Sequence, residues 1–244
     1  MIYKKYYEEV IKQLEVQVKE EEENIEKAAE YCSESIVNDR LIHVFGTGHS
    51  QMFAMEVFYR AGGMVPVNGL LTPHYALDPT AKLSTYQERI EGFSDKYLEL
   101  ENTDKKDTMI IVSISGRNPA SVDMALKAKE IGMKVIALTS VQFSESVSSR
   151  HSSGKKLMDV ADVVIDIKNE SGDAVLSLEG VEDKFTGTST ILGMTVMNMI
   201  TSQTIENCVK KGYEPPIYVS SNLDRGDEIN AEHIKKYAPL ISNL

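Results

Sequence analysis

The chain has 244 residues, enough for one large domain with a substantial buried core. Its 42% hydrophobic and 26% charged residues are ordinary for a soluble globular enzyme, and no apolar run reaches the ~18 residues of a membrane span. A net charge of −11 opposes general attraction to nucleic acid or to an anionic membrane, so neither is an expected partner.

An anionic ligand would need a local positive field, built from backbone amides and helix ends. The segment Met1–Lys5 leads into charged, helix-like sequence and does not read as a signal peptide. Cys32 and Cys208 are too few and too isolated for a disulfide framework, which favours a reducing compartment and predicts a cytoplasmic protein.

Over residues 3–37, Val10, Leu14 and Val18, then Ile25, Ala28, Ala29, Cys32 and Ile36, recur at three- and four-residue steps. This spacing predicts helix. The two series fall out of phase across Glu20–Glu23, which predicts a bend there. Residues 1–38 read as a helical arm whose apolar stripe has no place in a single sheet sandwich. The stripe is expected to bury against a second copy, in a homodimer or homotetramer.

From residue 39 to 244 short β-branched runs alternate with amphipathic segments, the pattern of a βαβ fold. Strands are predicted at Arg40–Phe45, Met64–Val67, Thr108–Ile114, Lys134–Leu138 and Asp162–Ile167. Helices are predicted at Gln51–Ala61, at Ala120–Ile131 with Gly132 as its stop, and at Thr188–Val209. The last is expected to turn Ile191, Met194, Thr195, Met197 and Asn198 inward. In such sheets ligands sit beyond the carboxyl ends of the strands.

Two loops there have the chemistry of an anion cradle. Gly46-Thr47-Gly48-His49-Ser50 follows the first strand and opens a helix, so backbone N–H groups, Ser50 and the helix N-terminus can face a phosphate. A dinucleotide fold is disfavoured, because Gln51 occupies the third glycine position and Asn68 replaces the acid expected for a ribose. Ser113-Ile114-Ser115-Gly116-Arg117-Asn118-Pro119 ends the third strand, with Ser113 and Ser115 on one side by the period of two. Asn118-Pro119 opens the next helix, with proline at a favoured first-turn position.

The pairing of Gly46-x-Gly48-x-Ser50 with Ser113-x-Ser115-Gly116, followed by Ala-Leu-Thr-Ser at 137–140, resembles the SIS (sugar isomerase) domain family. Further phrases point to a subgroup near phosphoheptose isomerase: Glu88-Arg89-Ile90-Glu91-Gly92, Ser153-Gly154-Lys155, Ser171-Gly172-Asp173-Ala174 and the tail Ser220–Asn230. The resemblance implies a three-layer α-β-α sandwich around a five-stranded parallel sheet, flavodoxin-like in order. It also implies a phosphorylated sugar as ligand, held by Ser50, Ser113 and Ser115, with Thr47, Gly48 and Asn118 in the same cradle.

The resemblance leaves the reaction open among isomerase, etherase or deaminase, and sensor. Residues 1–38 are too short and too acidic for the DNA-binding domain that sensors carry. For aldose–ketose isomerisation the candidate bases are Glu88 and Glu91, three apart and able to share a helical face, assisted by His74 after the second strand. Glu56 is read as structural. The final helix lacks the histidine that phosphoheptose isomerase carries there. No His or Cys spacing calls for a metal, and no motif calls for a cofactor. The tail 215–230 is expected to close over a site, its own or a partner's.

Overall fold

A computed structural model describes residues 1–244. The stripe at the N-terminus forms two helices, α1 (Ile2–Glu20) and α2 (Glu22–Val37), which meet at Glu21, inside the predicted bend. Five strands follow: β1 (Ile42–Gly46), β2 (Val67–Gly69), β3 (Thr108–Val112), β4 (Lys134–Thr139) and β5 (Val163–Asp166). All pairs are parallel, in the order β2-β1-β3-β4-β5.

Between and after the strands lie α3 (Gln51–Val57), α4 (Ala81–Gln87), α5 (Ser94–Glu99), α6 (Pro119–Ile131), α7 (Val141–Ser146), α8 (Ser189–Lys210) and α9 (Gly226–Tyr237). The expected sandwich and five-stranded parallel sheet are present.

Strand alternation sorts the core into two layers. On one face Ile42, Val44, Ile110, Val112, Ile136 and Leu138 meet α2, α3 and α8. On the other, Phe45, Met109, Ile111, Val135 and Ala137 meet α5 and α6, whose Ala120, Ala125 and Ala128 let helix and sheet approach closely. Both faces are covered, so these strands read as continuous apolar runs.

Several expectations are corrected. Residues 22–37 are not an arm: Ile25, Ala28, Ala29, Cys32 and Ile36 are buried in the first core layer against the sheet and α8. Spacing reveals a stripe, not the surface that receives it. The inward face of α8 is Leu192, Val196, Met197, Ile200, Thr204 and Cys208. Of the predicted face only Met197 is buried, and Ile191 is 41% exposed. Polar and apolar residues are mixed on both sides of that helix, with Thr204 buried and Ile191 and Val209 exposed, so periodicity gave its phase poorly.

Two boundaries also move. The helix after the first loop ends at Val57, not Ala61, and the edge strand is Val67–Gly69, not Met64–Val67. Met64 instead makes an antiparallel bridge to Ile217 of the tail. The tail therefore lies at the amino-terminal side of β1 and β2, where Leu41, Val65, Tyr218, Tyr237 and Ile241 form a small third cluster. It does not close over the loops of its own chain.

Candidate anion site at the crossing of β1 and β3

The strand order reverses direction between β1 and β3: the chain moves outward to β2 and then returns to β3. A crevice opens at such a point beyond the carboxyl ends of the strands. Register aligns Gly46 with Val112, so the two serine loops leave the sheet side by side.

The first loop folds back in one tight turn, Gly48–Ser50, before α3 begins. Gly46 has to be glycine, because a Cβ there would lie 2.3 Å from the Ser50 carbonyl oxygen. The N–H groups of Gly48 and His49 find no acceptor in the protein, and neither does the Ser50 hydroxyl. Gln51 is not a failed glycine. Its buried side chain donates through Nε2 to the Thr72 carbonyl at 2.9 Å and ties the loop after β2 to this turn.

The second loop continues the ladder briefly past β3. Ser113 N–H bonds to Leu138 O, Ser140 N–H bonds to Ile114 O, and the chain turns at Gly116 with φ +60°. Strand geometry ends at Val112, two residues earlier than expected. Asn118 is the N-cap residue of α6 by position, with Pro119 after it, but its side chain makes no cap bond. Its Oδ1 accepts from Arg150 Nη1 at 2.8 Å. The hydroxyls of Ser113 and Ser115, and the N–H groups of Ser115, Arg117 and Asn118, have no protein partner.

Glu88 lies where the loops meet. The Thr47 hydroxyl donates to Glu88 Oε2 at 2.8 Å, and the Ala120 N–H of α6 donates to the Glu88 carbonyl at 3.1 Å. Glu91 behaves differently, and the expectation of a shared helical face fails. The helix α4 ends at Gln87, so Glu88 caps it and Glu91 lies in the turn beyond. Both Glu91 oxygens are taken by Ser152, one by its N–H and one by its hydroxyl at 2.6 Å. These bonds hold the exposed Glu91 carboxyl below the usual carboxylate range.

His74 lies in a single turn, Pro73–Tyr75, exposed and against the Phe93 ring at 5.0 Å between centroids. The Thr72 hydroxyl is 3.1 Å from its Nδ1, which leaves Nε2 free. Glu56 of α3 is half-buried, paired with Arg60 and accepting from Asn198 Nδ2 of α8 at 3.0 Å. No group of three or more His, Cys, Asp or Glu side chains is placed to hold a metal ion.

Sequence reasoning missed the segment strapped across the second loop. Arg150 N–H bonds to Arg117 O, and Leu157 N–H bonds to Gly116 O. His151 Nε2 is 2.9 Å from Asp123 Oδ1 of α6, a pair almost shut from solvent, and Asp123 also accepts from Gly92 N–H. The signal available was Arg117 itself, a cation between two residues already assigned to the cradle. Nothing in the spacing brings Arg150, thirty-three residues on, beside it.

This arrangement is that of a known class. The chain belongs to the SIS domain family, which matches residues 5–140. More narrowly it falls with the UPF0309 proteins. It is 41% identical to that of Geobacillus sp. (strain WCH70), over 98% of this chain and 97% of the relative. It is also 41% identical to that of Caldanaerobacter subterraneus subsp. tengcongensis, over 98% of both.

Among solved structures, a phosphoheptose isomerase from Francisella tularensis has the same fold. Its TM-score is 0.55 at 15% identity, covering 84% of this chain and 96% of that one. The phosphoheptose isomerase of Neisseria gonorrhoeae gives a TM-score of 0.51 at 19% identity, covering 86% and 97%. No helix is long and apolar enough to cross a membrane.

Proposed function

We propose that this chain binds a phosphorylated sugar across the two loops and interconverts its aldose and ketose forms. One observation carries the reading. Three unpaired hydroxyls and five unpaired N–H groups gather at the β1/β3 crossing, in a chain whose overall charge repels anions. Fixed donors of this kind suit a phosphate.

Of the two carboxylates, Glu88 is the better base, because both oxygens of Glu91 are spent on Ser152. Glu88 would take the proton from the sugar carbon beside the carbonyl. The resulting enediolate would receive it on the neighbouring carbon. The Thr47 hydroxyl orients the carboxylate. The free Nε2 of His74 would carry the proton that passes between the two oxygens. Both solved neighbours named above are phosphoheptose isomerases, which supports an isomerase reading.

The surface of α1 supports a second part of the proposal, self-association as a homodimer or homotetramer. Tyr3, Tyr7, Ile11 and Val18 are exposed along it.

The test is thermal shift and calorimetry with free sugars and their phosphates, followed by NMR in deuterated water with the best ligand. Phosphorylated sugars should bind and free sugars should not. Ser113→Ala or Ser115→Ala should each weaken binding by about 1–3 kcal/mol, as for other charge-assisted hydrogen bonds. Equal binding of free and phosphorylated sugar sinks the assignment, and absence of carbon-bound deuterium exchange sinks the isomerase step.

A further inference from the structure

We propose that Arg89, Arg117 and Arg150 form a second anion subsite beside the phosphate loops, and that the substrate is a phosphorylated sugar carrying another anionic group, a carboxylate or a second phosphate. This rests on the phosphosugar reading and goes beyond it. The chain has only six arginines. Arg40 and Arg60 are ion-paired elsewhere, and Arg225 precedes α9 in the tail. The other three gather at one place, and none of them pairs with a carboxylate.

Their placement follows from backbone contacts. Arg117 belongs to the second loop. Arg150 N–H bonds to the Arg117 carbonyl at 2.9 Å, and the Arg150 guanidinium lies on the Asn118 side chain at the start of α6. Arg89 follows Glu88, whose carbonyl accepts from Ala120 N–H of the same helix. The His151–Asp123 pair fixes the strap, and with it Arg150.

Arg117 Nε is shut from solvent without a hydrogen-bond partner, and its Nη2 has only a long contact, 3.4 Å, to Ser148. Partial desolvation, then the charges of Arg117 and Arg89, outweigh the opposing charge of Glu88 and hold the Arg150 guanidinium below its usual pKa.

Acids outnumber bases 37 to 26 in this chain, yet no acid forms an ion pair with any of these three cations. Glu88 accepts a hydrogen bond from Thr47, and its charge offsets only part of the repulsion at Arg150. Three cations against one carboxylate still repel one another, and a bound anion removes that cost. The phosphate cradle consists of hydroxyls and N–H groups and needs no guanidinium. The arginines are additional to it, and their planar forks match carboxylate and phosphate oxygens two at a time.

Four probes test this by calorimetry. Glucose 6-phosphate and fructose 6-phosphate carry one anionic group, 6-phosphogluconate adds a carboxylate, and fructose 1,6-bisphosphate adds a phosphate. At least one of the last two should bind tenfold or more tighter than the single-anion sugars, and which one does so names the second group. Arg117→Gln and Arg150→Gln should each weaken that ligand at least tenfold more than they weaken the single-anion sugars. Arg225→Gln removes the same charge from the tail and should leave the preference intact.

The inference is overturned if neither doubly anionic sugar is preferred, or if Arg225→Gln erodes the preference as much as Arg117→Gln. Binding of single-anion sugars that Ser113→Ala weakens, with no such preference, removes this inference alone. Failure of every phosphorylated sugar to bind removes the phosphosugar reading and this one with it.

Discussion

Glu88 and Glu91 are three residues apart and chemically identical, and the fold gives them opposite fates. One carboxylate accepts a single hydroxyl at the junction of the two serine loops; the other is consumed by Ser152. Glu88→Gln should therefore lower turnover by about 10²–10⁴-fold, the usual loss with a general base, while phosphate affinity holds. Glu91→Gln should leave turnover within a few-fold and loosen the strap instead. Steady-state rates and calorimetry on both variants separate the two, and the reverse ranking would move the base to Glu91.

Away from the site, Asp107 is the residue on which stability should turn. It is buried, accepts from Arg40, the Leu41 N–H and the Asp104 N–H, and lies 3.2 Å from His43 Nε2. Burial pushes its carboxyl up, but hydrogen bonds from His43 and Arg40 prevail and hold it below 3.8. Between that lowered value and the ordinary one the unfolded chain binds the proton and the folded chain does not, so stability rises with pH there. The contribution is present above about pH 4 and is lost as pH falls through the folded value. Asp107→Asn should cost about 3–5 kcal/mol at neutral pH, as when one partner of a buried pair is removed. The variant should also show a shallower acid slope in urea melts between pH 2 and 5.

At the scale of elements, α3 and α8 approach most tightly at Gly193. A Cβ on Gly193 would lie 2.1 Å from Cε1 of Phe53, whose ring is buried in the core and cannot swing aside. Alanine is worth about 0.5–1 kcal/mol over glycine inside a helix. Overpacking costs about 1–3 kcal/mol, so the clash should win. Gly193→Ala is expected to lower stability in urea denaturation, and Phe53→Leu should restore part of the loss. Because α3 carries the first anion loop at its start, the variant should also weaken phosphosugar binding. The amino end of α8 is fixed from a distance: Asp173 accepts from the N–H groups of Thr188 and Ser189 and from the Ser189 hydroxyl. That is the role of the Ser171-Gly172-Asp173-Ala174 phrase, which reads in sequence as a family mark and in structure as a helix cap.

For the whole molecule, the two N-terminal helices should part company under deletion. Removing residues 1–20 takes away a helix with exposed Tyr3, Tyr7, Ile11 and Val18 and few buried residues. Removing 1–37 also takes Ile25, Ala28, Ala29, Cys32 and Ile36 out of the main core. The shorter truncation should remain folded and fall to a smaller mass in light scattering, while the longer one should be insoluble. A soluble 1–20 truncation of unchanged mass would dismiss α1 as the contact between copies.

Much of this protein follows from local rules. Short β-branched runs bounded by turns specify β1, β3, β4 and β5, because each depends on neighbours within a few positions, whereas the edge strand β2 lies later than its run predicted. The two serine loops are legible for the same reason, since an anion cradle at a helix start is a short motif. Other features depend on which distant segments meet, and spacing carries no such information. The burial of α2 required the far end of the chain, α8, to supply its partner. The inward phase of α8 was hidden because polar and apolar residues are mixed on both of its sides. The separation of Glu88 from Glu91 depended on α4 stopping at Gln87 and on Ser152 arriving from sixty-one residues away. The three arginines meet only because the strap from 148 to 157 lies across the loop after β3. Sequence sets most of the strands and the two serine loops because those are short-range; packing alone sets which charges lie beside those loops.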